Sequence, residues 1–201
     1  MTSRKPTLLI LGGTGEALLL ARAAVAELGD QLRVISSLAG RTRSPAKVSG
    51  EVRIGGFGGV EGLAGYLRDI GIEFLIDASH PFSAQISQHA CLAAAATATP
   101  RCVLARAAWR MQAGDRWYEA ADMAAAAALV PGLGRRVFLS VGARSLEYFS
   151  DFSDRWFLVR LIDALDDPLP LPQAKLITGR GPFDAASEHR LFEQHRIDLL
   201  V

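Results

Sequence analysis

Four short stretches hold most of the residue types that could do chemistry. In LGGTGEA, Gly12, Gly13 and Gly15 fall where an apolar run gives way to a helical pattern. Backbone amides and the positive end of a helix at such a turn can receive a phosphate. The same glycines would also serve a tight turn with no ligand. Leu18 stands where the third glycine of the dinucleotide fingerprint would fall, so that fingerprint is incomplete. About 25 residues further on, as one strand-helix-strand unit requires, SSLAGRTR offers Ser36, Ser37, Arg41, Thr42 and Arg43 and no carboxylate. In a dinucleotide fold an acidic residue there binds a ribose 2′-hydroxyl, whereas a basic one accommodates a 2′-phosphate. The stretch therefore favours NADP over NAD, against the plainer reading of a solvated loop. IGGFGG places Gly55, Gly56, Gly58 and Gly59 around Phe57, a density that permits close backbone approach to a ligand or simply a flexible loop. DASHPF puts Asp77, Ser79, His80, Pro81 and Phe82 directly after the apolar run IEFLI. A lone histidine is more often structural than catalytic, but this one shares a predicted strand edge with the glycine turns.

The elements that must position these stretches follow from periodicity. TLLIL is a strand and EALLLARAAVAEL a helix, with Gly29 suited to cap it. QLRVISSL and the start of EVRIGGFGG are strands, and VEGLAGYLRDI is an amphipathic helix closed by Gly71. EFLIDASH and RCVLAR bracket an alanine-rich helix over 83–97. Near-continuous apolar strands alternating with helices predict a parallel sheet covered on both faces. Residues 107–121, with Trp109, Met111, Gly114, Asp115 and Trp117, show no clear period and read as a crossover between halves. The alternation then resumes with the helix AADMAAAAALV, the strands RRVFLSVG, RWFLVRLI and AKLITGRGPF, and a final helix running into IDLLV. The expectation is α/β: two Rossmann-like doubly wound parallel-sheet domains, 1–105 and 106–201. The second domain is small to stand alone and is expected to pack on the first. Phe82 is expected to start its helix on the buried side.

Composition excludes several classes. Half of the 201 residues are apolar, so a disordered or fibrous chain is excluded. A formal net charge of +1 gives no reason to expect nucleic acid. No apolar stretch reaches the roughly 18 residues of a membrane span, and the N-terminal run is too short for a signal peptide. These features predict a cytoplasmic protein without membrane or nucleic-acid partners, a monomer or a weak homo-oligomer. Cys91 and Cys102 have no His or Cys at metal spacing. They are expected to be buried, inert thiols, and no metal site is expected.

LGGTGEA, SLAGRT, RIGGFGGVEGLAGYL, IDASHPFSAQIS, the spacing of Arg106 and Trp109 in LARAAW, GDRW and GRGPF occur in an order and spacing that resemble the precorrin-6A reductase family of the cobalamin pathway. The resemblance runs along essentially the whole chain. It implies an NADPH-dependent reductase that saturates the C18=C19 double bond of a ring-contracted tetrapyrrole, giving precorrin-6B, with the cofactor in the cleft between the two α/β domains. By the same resemblance Gly12, Gly13, Thr14, Gly15 and Glu16 would hold the pyrophosphate side, and Ser37, Arg41 and Thr42 the adenosine phosphate. Gly55, Gly56, Phe57 and Gly58, with His80 and Pro81, would line the nicotinamide.

A tetrapyrrole rich in acetate and propionate groups needs cationic donors, and guanidinium suits carboxylates. Arg106, Arg144, Arg160 and Arg180 are the candidates, with Gly181 in the GRGPF turn, whose amides could also meet a carboxylate. Hydride would come from NADPH, leaving orientation, exclusion of water and delivery of one proton to the protein. His80 or solvent could supply that proton.

The resemblance also implies a Lys-x-Ser-Gly-Gly stretch, a helix and a strand beyond IDLLV, so the natural product is expected to be longer. If that part is genuinely missing, part of the substrate site is missing with it. A short-chain dehydrogenase would need Tyr-x-x-x-Lys, but Tyr66, Tyr118 and Tyr148 are followed four residues later by Ile70, Asp122 and Phe152. The remaining alternatives are a cobalt-precorrin-6A reductase of the anaerobic pathway and a non-enzymatic NADP-binding sensor.

Overall fold

A computed structural model describes residues 4–40 and 47–201. It divides into two compact units, Met1–Trp109 and Arg110–Val201.

In the first unit, Thr7–Leu11 is five buried residues in a row and forms β1, a strand covered on both faces. It is followed by α1 (Gly15–Leu28), β2 (Arg33–Leu38), β3 (Glu51–Ile54), α2 (Gly59–Ile70), β4 (Phe74–Asp77), α3 (Ala84–Thr97) and β5 (Arg101–Val103). All pairings are parallel, in the order β3-β2-β1-β4-β5. The strand order reverses between β1 and β4, the point at which open α/β sheets bind ligands beyond their strand ends. Side chains alternate along β1. Leu9 and Leu11 join the core beneath α2 and α3, while Leu8 and Ile10 pack with Ala17 and Ala21 of α1. Each buried Leu or Ile contributes about 1.5–3 kcal/mol of transfer free energy.

The second unit contains α4 (Met123–Leu133), β6 (Arg136–Leu139), a 3-10 segment (Ala143–Phe149), β7 (Trp156–Leu161), β8 (Ala174–Thr178), α5 (Ala185–His195) and β9 (Leu199–Leu200). Its strands are also all parallel, in the order β8-β7-β6-β9. Asp122 caps α4 by accepting the amide of Ala125, and Asp184 caps α5 by accepting that of Ser187. Val137, Leu139, Phe149, Phe157 and Val159 form the core on one face of the sheet. Phe138 lies on the other face, against Phe192 of α5.

The predicted alternation of elements is present throughout, and two local expectations, for the cysteines and for Phe82, are corrected. Cys91 and Cys102 are exposed, not buried. Cys91 lies away from the buried Ala90, Ala93 and Ala94 of α3, and Cys102 sits on the edge strand β5. Phe82 is 90% exposed, because α3 begins only at Ala84 and the ring stays in the preceding turn. Gly29 caps α1 in right-handed geometry, its amide donating to Val25. Among the described residues, no helix is long and apolar enough to cross a membrane.

Candidate functional site

The turn from β1 into α1 and the turn after β4 are tied together at the reversal point. Thr14 is buried; its Oγ1 accepts the amide of Ala17 at 3.1 Å and donates to the carbonyl of Ala78 at 2.8 Å. One hydroxyl thus caps α1 and fixes the neighbouring strand end. That hydroxyl is committed inside the fold, as is the Gly12 amide, which donates to the Ser37 carbonyl at 2.9 Å, so main-chain amides from Gly13 to Glu16 are what this turn can offer. Ala17, beside Gly12, supplies the close contact between helix and sheet that the fingerprint assigns to its third glycine.

The glycines divide by what the fold requires of them. Gly13 has φ +111°, a region that favours glycine. Gly62 in α2 is needed for packing, since a Cβ there would lie 1.7 Å from the Phe57 carbonyl oxygen. Gly15 and Gly56 are different: neither has a positive φ, and a Cβ on either would meet nothing within 4 Å. Internal packing does not account for them. Both sit beyond the carboxyl ends of strands, Gly15 after β1 and Gly56 after β3, the side on which open α/β sheets take up ligands.

In DASHPF, the buried Asp77 carboxylate accepts from the Ser79 amide at 3.2 Å and the Ser79 hydroxyl at 2.6 Å. The Ser79 hydroxyl also lies 3.1 Å from that of Ser87 on α3. Oδ2 of Asp77 has no hydrogen-bond partner among the described residues, and Nη1 of Arg101 lies 3.7 Å from it. These contacts fix the backbone that leads into His80. Its Nδ1 accepts the Phe82 amide at 3.2 Å, which leaves the proton of a neutral ring on Nε2. Partial burial, then the positive charge of Arg106, lower the His80 pKa, against an opposite pull from Glu16. The ring is thereby held toward its neutral form.

Arg106 belongs to this first-unit cluster and not to the second unit. Its Nη2 lies 2.6 Å from Glu16 Oε2, and this contact is the main cause that lowers the Glu16 pKa. The ion pair neutralises a carboxylate that would otherwise repel an anion at the start of α1. Arg160 is also engaged. Both its terminal nitrogens lie 2.7 Å from the carboxylate of Glu188 on α5, and its guanidinium stacks over Phe183 at 3.9 Å. That guanidinium is bound within its own unit and is not a free donor for a substrate carboxylate. Arg144 is exposed at the start of the 3-10 segment after β6, while Arg180 and Gly181 lie in the turn after β8. Phe183 packs over Gly179 and Gly181 and shapes that turn.

Ser37, at the end of β2, is buried, and the next strand holds a residue that sequence reading missed. Arg53 on β3 is the register partner of Ser37. Its guanidinium stacks over Phe57 at 3.8 Å and donates to the carbonyls of Gly55 at 2.5 Å and Gly56 at 2.7 Å. The available signal was its place directly before the Ile-Gly-Gly run, on the strand that must lie beside β2. Arg41 and Thr42, with Arg43, lie outside the described residues.

The comparisons with known proteins are consistent across sequence and structure. Residues 7–201 match the family model described as Precorrin-6x reductase CbiJ/CobK. The chain is 47% identical over 194 residues to a precorrin-6A reductase of Rhodococcus erythropolis, covering 96% of this chain and 77% of that protein. It is 44% identical over 195 residues to the precorrin-6A reductase of Rhodobacter capsulatus, covering 96% and 76%. A solved structure, CobK precorrin-6A reductase, superposes with a TM-score of 0.90 at 43% identity, covering 97% of this chain and 76% of that one.

Proposed function

This chain belongs to the precorrin-6x reductase family, and from that premise we propose that it reduces precorrin-6A to precorrin-6B with NADPH in cobalamin biosynthesis. The observation that carries the cofactor assignment is the pair Gly15 and Gly56, bare backbone that the fold does not itself require, the first at the reversal point beside β1 and the second beyond the carboxyl end of β3 in the same parallel sheet.

The residues fit a dinucleotide. Main-chain amides from Gly13 to Glu16 and the N-terminus of α1 would hold the pyrophosphate, with Arg106 offsetting the Glu16 charge beside it. Ser37, Arg41 and Thr42 would meet the adenosine phosphate. Gly55, Gly56, Phe57, Gly58, His80 and Pro81 would line the nicotinamide. Bound NADPH supplies a hydride.

The chain's own contribution is placement. Thr14 fixes the phosphate turn to β4, and Asp77 with Ser79 fixes the backbone that leads into His80. The neutral ring, with its proton on Nε2, would hydrogen-bond to the cofactor, and solvent would supply the proton that completes the reduction. Arg144 and the Arg180–Gly181 turn, each at a strand end of the second unit, would receive substrate carboxylates; Arg106 and Arg160 face Glu16 and Glu188.

The test is incubation with NADPH and either precorrin-6A or its cobalt form, following loss of nicotinamide absorbance. Turnover of the metal-free substrate is expected. Turnover of the cobalt form alone would move the assignment to the anaerobic pathway. NADPH binding without turnover of either would point to a sensor.

A further inference from the structure

We propose that Arg53, on β3, selects NADP over NAD by binding the 2′-phosphate jointly with Ser37. The inference rests on the NADPH reading above and identifies a determinant outside the loop that follows β2.

The group at the end of β2 decides between ribose hydroxyl and phosphate in this fold class. Here that group is Ser37, whose hydroxyl can donate to a phosphate but brings no charge. The charge comes from the neighbouring strand. Parallel pairing puts Arg53 opposite Ser37, and Nη1 of Arg53 lies 3.4 Å from the Ser37 Oγ.

Three features fit Arg53 to an external anion. First, it faces no carboxylate among the described residues, whereas Arg33, Arg101 and Arg160 on other strands each face one, Glu51, Asp77 and Glu188. Second, it is held in place before any ligand arrives. Phe57 lies under the guanidinium, Tyr66 is 5.1 Å from it, and the Gly55 and Gly56 carbonyls orient its edge. Less rotamer freedom is then lost on binding. Third, those carbonyls and Ser37 use only part of its donor capacity. A guanidinium has five N–H groups, and the contacts to Gly55, Gly56 and Ser37 take three of them.

The same contacts give Arg53 a structural task, bracing the Gly55–Gly58 turn. The two tasks separate experimentally. A brace serves NADPH and NADH alike, because both share every group except the phosphate. A phosphate contact serves NADPH alone.

The experiment is calorimetric titration of NADPH and of NADH into wild type, Arg53→Gln and Arg53→Lys. Wild type should prefer NADPH. Arg53→Gln should lose about 10- to 100-fold in NADPH affinity, the range of a charge-assisted hydrogen bond, with NADH affinity changed less than about threefold. Arg53→Lys retains the charge and should keep more of the preference than Arg53→Gln. Equal losses for both cofactors in both variants, or an unchanged NADPH to NADH ratio, would overturn the role of Arg53. Equal binding of both cofactors by wild type would instead overturn the NADPH reading on which it rests.

Discussion

Adding one methyl group at Gly15 separates the demands of the fold from those of the ligand. The new Cβ would meet no heavy atom within 4 Å, and the residue sits in the first turn of α1 without a positive φ. Replacing glycine by alanine at a compatible position restricts the unfolded chain and stabilises by about 0.4–1 kcal/mol. Thermal unfolding of Gly15→Ala should therefore occur at the wild-type temperature or a few degrees above it. Cofactor binding should move the other way. A methyl standing where a phosphate approaches the amides removes at least one charge-assisted hydrogen bond, about 1.5–3 kcal/mol, or roughly 10- to 100-fold in affinity. Gly62→Ala is the contrasting control. Its Cβ would fall 1.7 Å from the Phe57 carbonyl oxygen, so backbone must shift and stability should drop by about 1–3 kcal/mol. The paired assays are calorimetric unfolding and NADPH titration of each variant. The reasoning would be refuted by a Gly15→Ala protein that binds NADPH as wild type does, or that unfolds as readily as Gly62→Ala.

Thr14→Val keeps the branched shape but removes the hydroxyl that caps α1 and reaches Ala78. It should cost about 2–3 kcal/mol in urea unfolding, while Thr14→Ser stays within about 1 kcal/mol. Glu188→Ala strands the guanidinium of Arg160, whose side chain is 9% exposed. The carboxylate being removed is itself 25% exposed, so the loss should be about 2 kcal/mol and less than for a fully buried pair. For His80, burial and Arg106 hold the folded-state pKa below the ordinary value. As pH falls through about 6.5 the unfolded chain therefore takes up a proton more readily than the folded one. This share of stability is complete above that window and is lost below it. Thermal unfolding of wild type from pH 7.5 to 5.5 should accordingly fall more steeply than that of His80→Phe; parallel slopes would remove His80 from the pH dependence.

The order of elements was legible because both periodicities are strong. Thr7–Leu11 and Trp156–Leu161 are near-continuous apolar runs, and α2 carries its buried Leu63, Ala64 and Leu67 on one face. The turns at the candidate site were legible where they depend on local sequence, as in the glycine stretches and in DASHPF. What sequence could not show are contacts across the sheet. The pairing of Arg160 with Glu188 spans 28 residues, and that of Arg106 with Glu16 spans 90. Both arginines read as open donors until the fold supplied their partners. Arg53 was passed over for the opposite reason. Its significance comes from standing beside Ser37 on the next strand, a neighbourhood fixed by strand order and not by any motif. Cys102 was misread because three apolar-flanked residues resemble an interior strand, and only topology places them at the edge.

The most direct measurement follows the hydride itself. The protein, supplied with precorrin-6A and NADPH carrying deuterium at the transferable nicotinamide position, should yield a product whose mass shows one deuterium from the cofactor and one hydrogen from solvent. Product reduced without cofactor deuterium, or no product while NADPH remains bound, would contradict the account.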